Sequence, residues 1–138
     1  MSNPKVSVII VYDNEVILYD CLQSNLQQSF SNIEIICVNN AAKDNAEKIV
    51  IEQAQKADRI KLISIPSKME NNLAKKAGLS VAVGEFVIFL ENNEIVEPDF
   101  IKNIYLEAQT DKNIELKNNY LYRRAFIEND REMSTLID

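Results

Sequence analysis

The residues best able to do chemistry fall in short polar clusters, each directly behind an apolar run. Leu90-Glu91-Asn92-Asn93-Glu94 sets two carboxylates around two amides, and carboxylate and carbonyl oxygens suit a hard divalent cation or a hydrogen-bonding ligand. Tyr12-Asp13-Asn14 and Asn39-Asn40 add a phenol, a further carboxylate and three amides. Each cluster also has a plainer reading. A strand-to-helix loop can place acids near the next helix start, and paired asparagines after a strand suit a turn. With 0 His and 2 Cys, the chain lacks Ser-His-Asp catalysis, Cys-His catalysis and any His-rich zinc site. Cys21 and Cys37 form no Cys-x-x-Cys pair and lie among apolar neighbours, so they read as reduced core thiols.

The elements that must position these clusters are legible from periodicity. Val6 to Tyr12 is a nearly continuous β-branched run, as expected of a strand covered on both faces. Leu18, Leu22 and Leu26 then recur on one helical face. Ile33 to Val38 is a second buried strand, and Asp44 with Glu47 resembles a capping box for a helix through Ala57. Ile60 to Ile65 is a third strand, and Leu73 to Val81 marks a third helix. Gly84 is expected in the left-handed conformation that ends its trailing turn. Glu85 to Leu90 is a fourth strand, and Pro98 opens a helix reaching Ala108.

Strands and helices alternating across short loops predict an α/β fold with a parallel sheet. Ligands of such sheets bind outside the carboxyl ends of the strands, where strand order reverses. Asp13-Asn14, Asn39-Asn40, Pro66 to Asn72 and Glu91 to Glu94 would then share one edge. The only glycines are Gly78 and Gly84, so neither a dinucleotide fingerprint nor a P-loop follows the first strand.

Composition sets further bounds. A chain of 138 residues, 46% hydrophobic, suits one domain with a sizeable core. A net charge of −6 without a basic tract argues against nucleic acid as a partner. The apolar run at Val6 to Val11 is too short to span a bilayer, and no transmembrane segment is expected. A cytoplasmic location follows as an expectation, with attachment to a membrane surface through a partner as its variant. Beyond residue 110 the chain is polar, with Tyr120, Tyr122 and Phe126 near Arg123-Arg124, and Leu121 to Ile137 reads as helical.

Taken in order, Lys5-Val-Ser-Val-Ile-Ile, Gln28-Ser29-Phe30, Asn32-Ile-Glu-Ile-Ile, Asp44-Asn45, Ala77-Gly78-Leu79, Gly84-Glu85-Phe86 and Pro98-Asp99-Phe100 form a familiar succession. It resembles the N-terminal, nucleotide-sugar-binding half of family 2 glycosyltransferases, over about residues 4 to 108. The resemblance implies a GT-A fold, a Rossmann-like three-layer α/β/α arrangement with a mainly parallel sheet, here truncated. Residues 1–110 would form the donor-binding domain. Residues 111–138 would be a tail packed on that domain or on a second subunit.

The family moves a sugar from a nucleotide-diphosphate donor, usually with Mg²⁺ or Mn²⁺ on the diphosphate. The resemblance places Tyr12, Asp13, Asn14, Asn39, Asn40, Lys75, Glu91 and Asn92 toward a UDP-sugar or other nucleotide sugar. It places Asn93, Glu91 and Glu94 toward the metal. Three segments depart from the family pattern. Val11-Tyr12-Asp13-Asn14 lacks the usual proline, and Val38-Asn39-Asn40-Ala41-Ala42 replaces Val-Asp-Asp-Gly-Ser, losing the glycine's easy access to positive φ. Leu90-Glu91-Asn92-Asn93-Glu94 stands where the DXD motif is usually Leu-Asp-Ser-Asp-Asp, so a neutral amide replaces a metal-binding carboxylate.

The family's acceptor half and its general base have no assignable position here. The expectation is therefore nucleotide-sugar-dependent glycosyl transfer, weakened or lost. The alternative is a non-catalytic interaction or regulatory module, a pseudo-glycosyltransferase that binds a partner protein. A homodimer or a partner glycosyltransferase is the association expected.

Overall fold

A computed structural model describes residues 4–110, 116–117 and 121–123. β1 (Val6–Tyr12) and β2 (Ile33–Asn40) are buried along their whole lengths, which is why their sequences carry no polar alternation. β1 pairs with β2 and with β4 (Phe86–Glu91), and β2 pairs with β3 (Ile60–Ile65), all in parallel. Two short strands follow, β5 (Leu116–Lys117) and β6 (Leu121–Arg123), and complete the sheet order β3-β2-β1-β4-β6-β5. β6 runs antiparallel to β4, with Val87 opposite Tyr122. The helix expected from Leu121 therefore does not begin there. These three residues continue the sheet beside β4, and the rest of that expected helix lies outside the described residues.

Among the described residues four helices cover the two faces: α1 (Leu18–Leu26), α2 (Ala46–Ala54), α3 (Asn71–Leu79) and α4 (Phe100–Thr110). Alternate residues of β1 face opposite ways. Val8, Ile10 and Tyr12 join Leu22, Val50 and Ile104 in one core cluster, while Ile9 and Val11 join Ala74 and Leu79 in the other. The result is a three-layer α/β/α sandwich, as expected.

At the amino end of the sheet a buried carboxylate ties three segments together. The Ser7 hydroxyl (2.5 Å) and the Val83 N–H (2.8 Å) donate to Glu34 Oε2, and Lys61 Nζ lies 2.5 Å from Oε1. The Gly84 N–H donates to Ser7 Oγ at 2.8 Å. Gly84 has no positive φ, so its expected left-handed role is corrected. Space is the reason for the glycine. A Cβ there would sit 2.7 Å from the Ser7 backbone nitrogen and 2.8 Å from the Val6 carbonyl carbon.

The capping box also resolves differently. Asn45 is the N-cap of α2 and makes no side-chain cap bond. Asp44 instead accepts from the Ala46 N–H (3.0 Å) and the Glu15 N–H (2.7 Å), joining the loop after β1 to the start of α2. Glu47 accepts from the Ser64 hydroxyl on β3.

Candidate donor site

Strand order reverses between β1 and β4, and the loops leaving their carboxyl ends open a crevice there. Asn92 Nδ2 spans it, 3.2 Å from both the Asn14 carbonyl and Asn14 Oδ1. Asn14 in turn donates to Asp13 Oδ1 (2.8 Å) and accepts from the Val16 N–H (3.0 Å). Cys21 Sγ on α1 donates to the Glu91 carbonyl at 3.7 Å, fixing the end of β4 from below. Burial, and then the nearby Glu94 carboxylate, push that thiol up to about 12, so it stays protonated and is no nucleophile. Cys37 is also a free, buried thiol.

Two adjoining clefts share Glu91 and Asn92. The first, about 240 Å³, is lined by Val11, Tyr12, Asp13, Asn40, Lys68, Met69, Asn71, Glu91 and Asn92. That is below the usual size of a small-molecule pocket and fits one ring system better than a whole nucleotide sugar. The second, about 460 Å³ and more open, is lined by Asn14, Val16, Glu91, Asn92 and Asn93.

The structure thus gathers Tyr12, Asp13, Asn14, Asn40, Glu91, Asn92 and Asn93 around one continuous opening. The manner is often unexpected. Tyr12 borders the cleft but is 1% exposed; its ring belongs to the core. Its hydroxyl has no hydrogen-bond partner among the described residues, and burial raises its pKa far above the ordinary value. Asn39 is buried, and its Oδ1 accepts from the Ala42 N–H at 2.9 Å. Asn40 pairs with the Met69 backbone in both directions, donating to its carbonyl and accepting from its N–H at 3.0 Å each.

Between these bonds the backbone turns through Ala41 at φ 59. The left-handed conformation is therefore kept although the glycine is not, at the steric cost an alanine carries there. Lys75 lies on α3 with its Nζ 5.7 Å from the Phe89 ring centroid, apart from the cleft-lining residues.

The loop from Pro66 to Asn72 lies on the expected ligand-binding edge, and no residue in it stands out by type or spacing. Lys68, Met69 and Asn71 line the first cleft, and Lys68 Nζ donates to Asp13 Oδ2 at 2.8 Å across its mouth. The bond from Lys68, supported by Asn14, holds the Asp13 carboxyl below its usual range. The available signal was a cation in a loop at the ligand-binding edge of the sheet.

The fit to a divalent cation is poor. Glu94 Oε1 accepts from the Glu91 N–H at 2.8 Å, so this carboxylate closes its own loop. Asn92 is turned onto Asn14, and Asn93 offers a neutral carbonyl from an exposed position. Among the described residues no group of three His, Cys, Asp or Glu side chains is arranged to hold a metal. The residues present do not fit a resident Mg²⁺ or Mn²⁺.

A family model for glycosyl transferase family 2 matches residues 7–133. The chain belongs to this family. Over 119 residues it is 29% identical to Glycosyltransferase GlyG of Streptococcus pneumoniae serotype 4, covering 85% of this chain and 40% of that protein. The chain thus spans less than half the length of that relative. Among solved structures, S. aureus TarS 1–349 superposes with a TM-score of 0.79 at 17% identity, over 91% of this chain and 48% of that one. TarS has also been solved in complex with UDP-GlcNAc. The mannosyltransferase PcManGT from Pyrobaculum calidifontis, in complex with GDP-Man and Mn²⁺, matches with a TM-score of 0.69 at 20% identity, over 76% of this chain and 32% of that chain. At these identities the superpositions establish the GT-A fold. Among the described residues no helix is long and apolar enough to cross a membrane.

Proposed function

We propose that this chain is the donor side of a glycosyl transfer site and binds a nucleotide-diphosphate sugar weakly, without a tightly held metal ion. One observation carries the reading. The loops after β1, β3 and β4 converge on a polar opening where strand order reverses. Family membership supports the sugar-transfer chemistry, and the nucleotide sugars bound by TarS and PcManGT support the ligand class.

The first cleft has room for the base, walled by Asn40 and Met69. The second, beyond Glu91 and Asn92, is wide enough for a sugar. Weak affinity follows from charge. The first cleft is lined by two carboxylates, Asp13 and Glu91, and one ammonium, Lys68, so a diphosphate enters a site with no surplus of positive charge. The chain's residues orient and hold the donor. The carboxylates that line the clefts, Asp13 and Glu91, lie on the donor-side loops, and turnover by this chain alone is expected to be slow or absent.

Calorimetric titration with UDP and UDP-GlcNAc, each with Mn²⁺ and with EDTA, tests this. The expected result is a Kd of about 1 mM, roughly −4 kcal/mol, changing little with Mn²⁺. Silence with both ligands at saturating concentration would remove the donor-site reading. A gain of more than about tenfold with Mn²⁺ would remove its metal-free part.

A further inference from the structure

We propose that Lys68 supplies the positive charge facing the donor's diphosphate, in the place a bound metal holds in a metal-dependent site, and that Asp13 is its built-in competitor. The inference rests on the donor-site reading above and goes further by naming the residues that set its affinity. Three observations converge.

First, Lys68 lines the same cleft as Glu91, the last residue of β4, and Asn92, the first of the loop after it. It is the cation among that cleft's lining residues, and the carboxylates nearby do not assemble a metal site.

Second, its position is built rather than incidental. The neighbouring Met69 backbone is gripped at both its N–H and its carbonyl by the side chain of Asn40, a residue 4% exposed at the end of β2. The loop that carries Lys68 is therefore fixed to the sheet, and the ammonium is presented at the cleft mouth.

Third, the ammonium already holds an anion. Asp13 Oδ2 sits 2.8 Å from Nζ, while its other oxygen accepts from Asn14. A phosphate oxygen can take the place of Asp13 Oδ2 on Nζ, and Asp13 keeps its bond from Asn14. Lys68 and Asp13 side chains are 66% and 42% exposed, so this exchange needs no unfolding and is sensitive to salt. The ligand class is a nucleoside diphosphate, recognised by its phosphates at Lys68.

The test compares UDP with uridine, which lacks the phosphates, by calorimetry in EDTA, on the folded chain and three variants. Lys68→Met is expected to weaken UDP about tenfold and leave uridine unchanged. Lys68→Arg, which keeps the charge, is expected to restore most of the UDP affinity. Asp13→Asn is expected to tighten UDP about threefold by releasing Lys68.

Equal weakening of UDP and uridine by Lys68→Met would show a base contact and overturn the proposal. So would UDP binding that ignores Lys68→Met and requires Mn²⁺, although the donor-site reading would then survive. Failure of the unmodified chain to bind UDP at all would overturn both.

Discussion

The two ends of the parallel sheet use charge in opposite ways. At the amino end, Glu34 is 3% exposed and engaged by Ser7, Val83 and Lys61. At the carboxyl end, Asp13 and Glu91 stand open to solvent, and the buried polar positions are amides, Asn39 and Asn40. A buried carboxylate surrounded by donors fixes structure, because leaving any of them orphaned is costly. Exposed carboxylates beside a cleft tune what enters it and add little to stability. The amino end should therefore govern folding and the carboxyl end should govern binding.

Glu34→Ala is the strongest way to break that division. It orphans the buried Ser7 hydroxyl and takes the acceptor from the part-buried Val83 N–H, and should cost about 3 kcal/mol in urea denaturation, with UDP affinity unchanged in the folded fraction. Lys61 is 47% exposed and contributes only a small part of this. The pH dependence carries the same signature. Burial alone would raise the Glu34 carboxyl, but Lys61, Ser7 and the Val83 N–H outweigh it and hold the group below its ordinary value of 4.5. The folded state then binds fewer protons than the unfolded one. This support is complete above pH 4.5 and fades as the pH falls through the lower folded value. The urea midpoint should drop across that window, and less steeply in Glu34→Gln.

Asn40→Asp comes next and sharpens the contrast within the carboxyl end. It removes the donor to the Met69 carbonyl and sets a carboxylate against that oxygen, at a cost of about 1–2 kcal/mol. UDP affinity should fall with it, because the loop bearing Lys68 loses its anchor. Asn39→Asp is the control. The acceptor toward the Ala42 N–H is kept there, so no bond is lost and the cost, set by burying the new charge, should be the smaller of the two. Equal effects at the two positions, read by thermal melts and UDP titration, would mean that the amides are interchangeable.

Ala41→Gly should give the smallest change. Relief of the left-handed strain, about 1–2 kcal/mol, is offset by the freedom glycine gains in the unfolded chain, about 0.5–1 kcal/mol. A net gain near 0.5 kcal/mol in the same denaturation assay is expected.

Much of this architecture is legible in the sequence, for physical reasons that also mark where legibility stops. β1 and β2 are read easily because strands buried on both faces tolerate few polar residues. Leu18, Leu22 and Leu26 announce α1 by their spacing. The placement of Asp13, Asn40, Glu91 and Asn92 at one opening follows from parallel topology, which sends every β-to-α loop to the same edge.

What the sequence hides is partnership. Asn39 and Asn40 look alike in a row of letters, yet one accepts from its own turn and the other grips a different loop. Lys68 resembles any solvated lysine until the chain folds and brings Asp13 across from it. Gly84 looks like a turn residue until the backbone of Ser7 is seen to lie where a Cβ would go. Leu121–Arg123 has too short a run to show periodicity, and pairing with β4 and β5 makes a strand of it.

Lys61 has one more consequence. It sits on β3, the flank of the sheet that ends the strand order, opposite the side extended by β6. The residue that neutralises an interior acid also places a charge on the strand that, among the described residues, ends this side of the sheet, where a charge disfavours edge-to-edge pairing.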